Sequence, residues 1–254
     1  MSALWLSTRS RWSRMPQNKR SQSTGRLEHL SSGEIRVLGR MPYSSNATFL
    51  VEVNKDSATS RGIYKPSRGE RSLWDFQGGL YMREIAAYKL SEALGWKLIP
   101  MTVLRTDGPL GEGSLQLFIQ ADFQQHYFSL FEREELHSQF RKFALFDMIA
   151  NNADRKSGHL LIDGQNHIWG IDQGLCFHSE PKLRTVIWEF AGEPIPKELL
   201  EALSARQDDC AETIGEFISR PELQAFKDRV AQVLEHKKFP VPEPDVRCYP
   251  WPLV

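Results

Sequence analysis

Two aspartates and the short stretch between them constrain this chain more than any other feature. Asp154 closes the segment Asn151-Asn152-Ala153-Asp154-Arg155, directly after an apolar run whose period predicts a helix over 133–151 (Leu136, Phe140, Phe143, Ala144, Ile149). Eighteen residues later Asp172 stands in Ile171-Asp172-Gln173-Gly174. Two strand-like runs, Leu160 to Ile162 and Ile168 to Ile171, flank the turn Asp163-Gly164-Gln165-Asn166. Such a hairpin returns the chain on itself and brings both carboxylates to one edge of the second half. Read alone, each piece is also an ordinary one: a helix-terminal ion pair of Asp154 with Arg155, and a turn at Asp172-Gln173-Gly174.

The first half adds two charged residues in a telling order. It reads as strands at 34–38, 48–53, 62–65, 98–105 and 114–119 with one clear helix, Arg83 to Leu94, closed by Gly95. Lys65 ends a strand at Ile63-Tyr64-Lys65-Pro66, where proline removes the next donor. Glu84 lies nineteen residues later, at the start of the helix. A strand lysine paired with a helix glutamate places an ammonium on nucleotide phosphates, while one of two later carboxylates accepts the nucleophile's proton and the other holds Mg²⁺. After the 133–151 helix and the hairpin, helices are expected at 197–204, 208–219 and 221–236. The sixteen residues 239–254 contain five prolines and predict an extended tail.

Tyr64-Lys65-Pro66, Arg83-Glu84-Ile85-Ala86-Ala87-Tyr88, Ser114 to Ile119, Asn152-Ala153-Asp154-Arg155 and Ile171 to Phe177 stand in an order that resembles the phosphatidylinositol 3-/4-kinase-like superfamily. The likeness is strongest to bacterial proteins related to type II phosphatidylinositol 4-kinases. It spans roughly Ser44 to Phe177, about half of the chain. It implies an α+β, two-lobed, protein-kinase-like (atypical kinase) fold: a strand-rich N-lobe over 27–120 with one helix, and a helical C-lobe over 121–238 with a catalytic hairpin. On this resemblance the chain is an ATP-dependent kinase acting on a hydroxyl acceptor that is a lipid, a protein or a small molecule. Asp154 is the catalytic-loop acid, and Lys65 touches the phosphates with Glu84 orienting it. Gln116, Leu117, Phe118 and Ile119 form the adenine-reading hinge. Ser44 and Ser45 take the place of the phosphate-covering loop, which has no glycine-rich motif here.

Asp172 is then the metal ligand, and His159 stands five residues after Asp154, where relatives carry a second-metal asparagine. Mg²⁺ prefers oxygen, so an imidazole there implies Mn²⁺ use, a single metal on Asp172, or compensation by Asn152 or Gln173; otherwise His159 is a structural histidine. That departure motivates an impaired pseudokinase or scaffold as the first alternative. A metal-dependent phosphohydrolase using His159, Asp172 and His178 is the second. Asp147, inside the apolar helix, is a buried partner for the catalytic loop or else faces solvent. Lys182, Arg184 and Trp188 stand where an activation-like segment would run and offer an anion site or a solvated face.

Charge bounds the partners. Lys+Arg and Asp+Glu number 32 each, so the chain as a whole is no general polyanion binder and no nucleic acid is expected. The zero is a sum of unequal parts: residues 1–26 hold Arg9, Arg11, Arg14, Lys19, Arg20 and Arg26 with no acid, which gives +6 there and −6 in the remainder. A segment so rich in Arg and Ser reads as a disordered tail, a transit peptide or an upstream extension. An acidic body repels ATP, so a local lysine and a metal become requirements of the kinase reading. Three scattered cysteines argue against a disulfide framework and a zinc cluster, which fits a cytoplasmic monomer. No run reaches the ~18 apolar residues of a membrane span.

Overall fold

A computed structural model describes residues 23–42, 44, 46–76 and 78–254. Most of the cationic segment and Ser45 lie outside the described residues. The chain starts with helix α1 (Ser23–Ser32), which takes in four residues that the sequence reading assigned to the tail. A five-stranded antiparallel sheet follows: β1 (Glu34–Arg40), β2 (Phe49–Lys55), β3 (Ala58–Pro66), β4 (Thr102–Arg105) and β5 (Gly113–Leu117), in the order β1-β2-β3-β5-β4. The polar stretch expected to connect at 54–61 is mostly strand. Asn54 pairs with Thr59 and Lys55 with Ala58, which leaves a turn of Asp56 and Ser57 with Asp56 left-handed at φ 53°.

One face of the sheet buries Val51, Val53, Tyr64, Val103 and Leu115 together with Leu30 of α1. Arg105 fastens α1 there by donating to the carbonyls of Leu30 and Gly33, each at 2.9 Å. Side chains alternate along a strand, so with Tyr64 on the buried face the adjacent Lys65 projects from the opposite face. That face is where helix α2 (Leu80–Ala93) packs against β4 and β5.

The remainder is helical around one large core. Short α3 (Tyr127–Leu130) precedes α4 (His137–Ala150); then come the hairpin β6 (Leu160–Ile162) and β7 (Ile168–Gly170), α5 (Lys197–Ile214) and α6 (Arg220–His236). The two helices expected at 197–204 and 208–219 are one, because no glycine or proline interrupts Ala205 to Asp209. The proline-rich segment is not free: Thr185 N–H and the Trp188 indole both donate to the Cys248 carbonyl at 3.1 Å, and Ser157 N–H donates to the Leu253 carbonyl at 2.8 Å. The three cysteines are free and buried. Among the described residues no helix is long and apolar enough to cross a membrane.

Candidate active site

Helix α2 holds the two halves in register. Arg83 donates to the Cys176 carbonyl at 2.6 Å and pairs with Glu222 of α6 at 2.5 Å, while its neighbour Glu84 hydrogen-bonds the Lys65 ammonium. Lys65 also reaches Asp172 Oδ1 at 2.9 Å. One ammonium thus joins the sheet, α2 and the loop after β7. Burial alone would lower the lysine's pKa, but the two carboxylates outweigh it and raise it. Lys65 in turn holds Asp172 well below the usual carboxylate range, so Asp172 stays charged. Glu84, almost fully buried, is pushed upward by desolvation.

Asp172 sits at φ 61°, a left-handed conformation that costs a non-glycine residue about 1–3 kcal/mol and clusters at functional sites. Gly174 follows where a side chain would press on α2: an added Cβ would lie 3.3 Å from Leu80 Cβ and 3.6 Å from Glu84 Oε1.

The loop after α4 is held by a buried polar network. Asn151 caps the helix left-handed at φ 50°. Asp147 and Arg155, both fully buried, pair at 2.8 Å. Asn152 donates to Asp147 at 3.0 Å, Thr185 donates to it at 3.2 Å, and Arg155 also donates to Gln173 Oε1 at 3.0 Å. Asp147 is therefore the loop's buried partner rather than a solvent-facing residue, and Arg155 pairs with it instead of with Asp154. Asn152 and Gln173 are engaged inside this network, so they do not compensate as metal ligands.

Asp154 emerges from that rigid loop. Its amide donates to Asn152 Oδ1 at 3.0 Å, and its carboxylate meets Lys156 at 3.2 Å. Burial pushes its pKa up to about 6; Lys156 opposes and the Asp172 charge adds to the rise. A carboxylate so poised exchanges a proton near neutrality.

His159 Nε2 lies 3.6 Å from Asp172 Oδ2. Burial pushes its pKa down to about 4, so the imidazole is neutral. Its Nδ1 accepts a long bond of 3.4 Å from the Lys156 amide. Among the described residues no group of three or more His, Cys, Asp and Glu side chains gathers to hold a metal. His178 instead packs edge-on against Phe76 at 5.0 Å and accepts from the Glu180 amide, which removes the ligand set of the phosphohydrolase alternative. Asp172 with His159 still fits a divalent cation whose other ligands are phosphate and water oxygens.

Three expected contacts look different in place. The amides of Leu117 and Phe118 are committed to the carbonyls of Met101 and Arg61, and the buried Gln116 side chain donates to Thr102 at 3.0 Å. Strand pairing of the hinge segment therefore ends before Ile119. Ser44 lies in the loop between β1 and β2, and its hydroxyl donates to the Asn46 carbonyl at 2.8 Å. Gly69 approaches that loop so closely that a Cβ there would lie 2.4 Å from Ala47 Cβ. Lys182 and Arg184 both reach Asp75 at 3.7 Å, so these cations tie the 180s segment to the loop before α2.

A lysine-bearing antiparallel sheet, a helix that supplies its glutamate, and a helical lobe with two loop aspartates define a protein-kinase-like fold. Solved structures agree: hydra Fam20 with sugar superposes with a TM-score of 0.56 at 13% identity, covering 90% of this chain and 95% of that one. The Helicobacter pylori proinflammatory kinase CtkA gives 0.50 at 13% identity, covering 83% and 94%. No family model matches the sequence. The chain belongs to the same family as Protein Rv2133c of Mycobacterium tuberculosis (strain ATCC 25618 / H37Rv), to which it is 38% identical over 263 residues, 88% of this chain and 93% of the relative.

Proposed function

We propose that this protein is an ATP-dependent kinase of the phosphatidylinositol 3-/4-kinase-like type that phosphorylates a hydroxyl group. The observation that carries the reading is the shared Lys65 ammonium, bound to Glu84 and Asp172 at once, with Asp154 poised on the adjoining loop. Lys65 receives the phosphates, and Ser44 with neighbouring loop amides covers them. Adenine is read at Ile119 and just beyond. Asp172, with His159 beside it, holds Mg²⁺ or Mn²⁺, which neutralises phosphate charge when bound. In the transfer the acceptor oxygen bonds to the γ-phosphorus as the bond from that phosphorus to the β-bridging oxygen breaks. Asp154 takes the acceptor's proton and ADP leaves.

Incubation of the pure protein with labelled ATP and Mg²⁺ or Mn²⁺ tests this, with and without phosphatidylinositol vesicles. Labelled acceptor or autophosphorylated protein, lost in Asp154→Ala while ATP still binds, is the expected result. Metal-independent stabilisation by ATP with no turnover would overturn it in favour of a nucleotide-binding scaffold, the alternative that His159 in place of an oxygen ligand motivates.

A further inference from the structure

The turn of the β6–β7 hairpin lies at the far end of its strands from His159 and Asp172, and three elements meet there. Gln139 of α4 accepts from the Ile168 amide at 2.9 Å and donates to the Asn166 carbonyl at 2.8 Å, while Arg133 donates to Asn166 Oδ1 at 3.0 Å. The loop after α2 is tied to the same hairpin. His167 Nε2 donates to the Lys97 carbonyl at 2.9 Å, and Gly170 N–H to the Leu98 carbonyl at 2.8 Å. Gln139, Asn166 and His167, together with Trp96, Leu98 and Lys142, line a hollow of about 270 Å³.

The lining has donors to spare. Lys142, one turn along α4 from Gln139, has neither an acidic partner nor a hydrogen-bond acceptor among the described residues. Trp96 is only 7% exposed, yet its indole N–H is likewise unbonded, whereas a buried indole usually finds an acceptor. Asn166 engages its side-chain oxygen but not its Nδ2 amide, and the side chain of Gln165, also in the lining, is unbonded. No carboxylate lines the hollow. The acid of the turn, Asp163, is occupied: it accepts from the Gln165 and His167 amides at 2.8 and 3.1 Å and from the Trp169 indole at 2.9 Å. Unsatisfied N–H groups around one ammonium fit an anion. One cation balances one negative charge, and Asp163 in the same turn disfavours a second. The volume falls just short of the ~300 Å³ at which drug-sized ligands begin, which suits a molecule of a few carbons and excludes a nucleotide.

We propose that this hollow binds a small organic monocarboxylate bearing a hydroxyl, with the carboxylate on Lys142 and the Trp96 indole N–H and the hydroxyl on the free amides of Asn166 and Gln165. Such a ligand bridges the loop after α2, α4 and the hairpin. Those elements adjoin Glu84, Asp154 and Asp172 respectively, so the occupant braces the scaffold of the candidate active site from behind. The binding itself does not rest on the kinase reading.

Titration of the ¹⁵N-labelled full chain with lactate, acetate, inorganic phosphate and glycerol tests it, followed by NMR of the indole N–H signals. Trp96→Phe identifies the Trp96 signal; if that variant does not fold, sequential assignment of wild type does so. Lactate at millimolar concentration is expected to shift this signal saturably, acetate to do so more weakly, and glycerol to leave it in place. Lys142→Ala should weaken lactate at least about tenfold, the scale of a lost hydrogen bond to a charged group, while Lys142→Arg keeps most of the affinity. Thermal unfolding checks that both variants are folded. An unmoved Trp96 signal, or equal lactate affinity in Lys142→Ala, would overturn the site. Displacement of lactate by saturating ATP would overturn it too, by placing the anion in the nucleotide cleft. Tighter binding of phosphate than of lactate would overturn the carboxylate as occupant.

Discussion

The two loops that the kinase reading assigns to the site are built on opposite plans. The one after α4 is anchored from beneath by charged and polar side chains out of reach of water: Asp147, Asn152, Arg155, Gln173 and Thr185 are all nearly or fully buried. Among the described residues, the one between β1 and β2 is tied by main-chain bonds, such as Ala47 N–H to the Gly69 carbonyl at 2.9 Å, by the hydroxyl of Ser44, and by Asn46 Oδ1, which accepts from the Arg71 amide at 2.9 Å. A buried polar network is costly unless complete, and when complete it fixes one geometry. On the proposed kinase reading, the completed network lies under the loop that would take a proton, and the more lightly held loop is the one that would cover phosphates.

Breaking the anchored loop should have the largest effect. Asp147→Ala leaves the Arg155 guanidinium buried without its partner, and a loss of about 3–5 kcal/mol is expected in urea unfolding. A midpoint within error of wild type would show that the network does not hold the loop. By comparison, Ser44→Ala on the other loop should leave unfolding unchanged within about 0.5 kcal/mol and alter ATP affinity only modestly.

The next effects are on chemistry rather than on folding. Asp154→Ala should lower kcat by roughly 10²–10⁴-fold, the usual scale for a positioned base. Lys65→Met should cost about 10²–10³-fold, as for removal of one preorganised donor. Equal, small losses in both would place the reacting atoms elsewhere.

The pH profile sharpens the same comparison. Asp154 must be ionised to take a proton, and its pKa is raised to about 6, so the transfer rate should climb with pH through about 6 and be lost below it. Lys156 opposes that rise, so Lys156→Ala should move the limb to higher pH. An unmoved limb would assign it to another group. A small effect is also expected of Asp75→Ala. Its pairs with Lys182 and Arg184 are long, and a change in stability within about 1 kcal/mol is expected by thermal unfolding.

How far the sequence discloses this molecule depends on how local each signal is. Lys65 was visible because a proline ends its strand, and Glu84 because a clean helix period begins beside it. Asp154 and Asp172 stood out because a short hairpin separates them. Helix α1 left almost no trace: its apolar anchors are Leu27 and Leu30 alone in a polar stretch, and Arg105 supplies what holds it from 72 and 75 residues away. The place of Asp147 was equally hidden, since its partners come from residues 152, 155 and 185 and only the fold gathers them. The proline-rich segment read as a tail because its anchors are main-chain bonds, which no side-chain pattern announces. Continuity of α5 was obscured by a polar stretch that turns out to be simply its exposed face.

Arg83 and Glu84 are neighbours on one helix, yet each answers to a different half of the molecule. The first is bound to Glu222 and the Cys176 carbonyl, 139 and 93 residues away; the second is bound to the sheet lysine. Any swing of α2 that released Lys65 would also pull a nearly buried guanidinium off its carboxylate. A switch that works by rocking this helix would therefore carry a penalty on every stroke, and the resting state is already the assembled one.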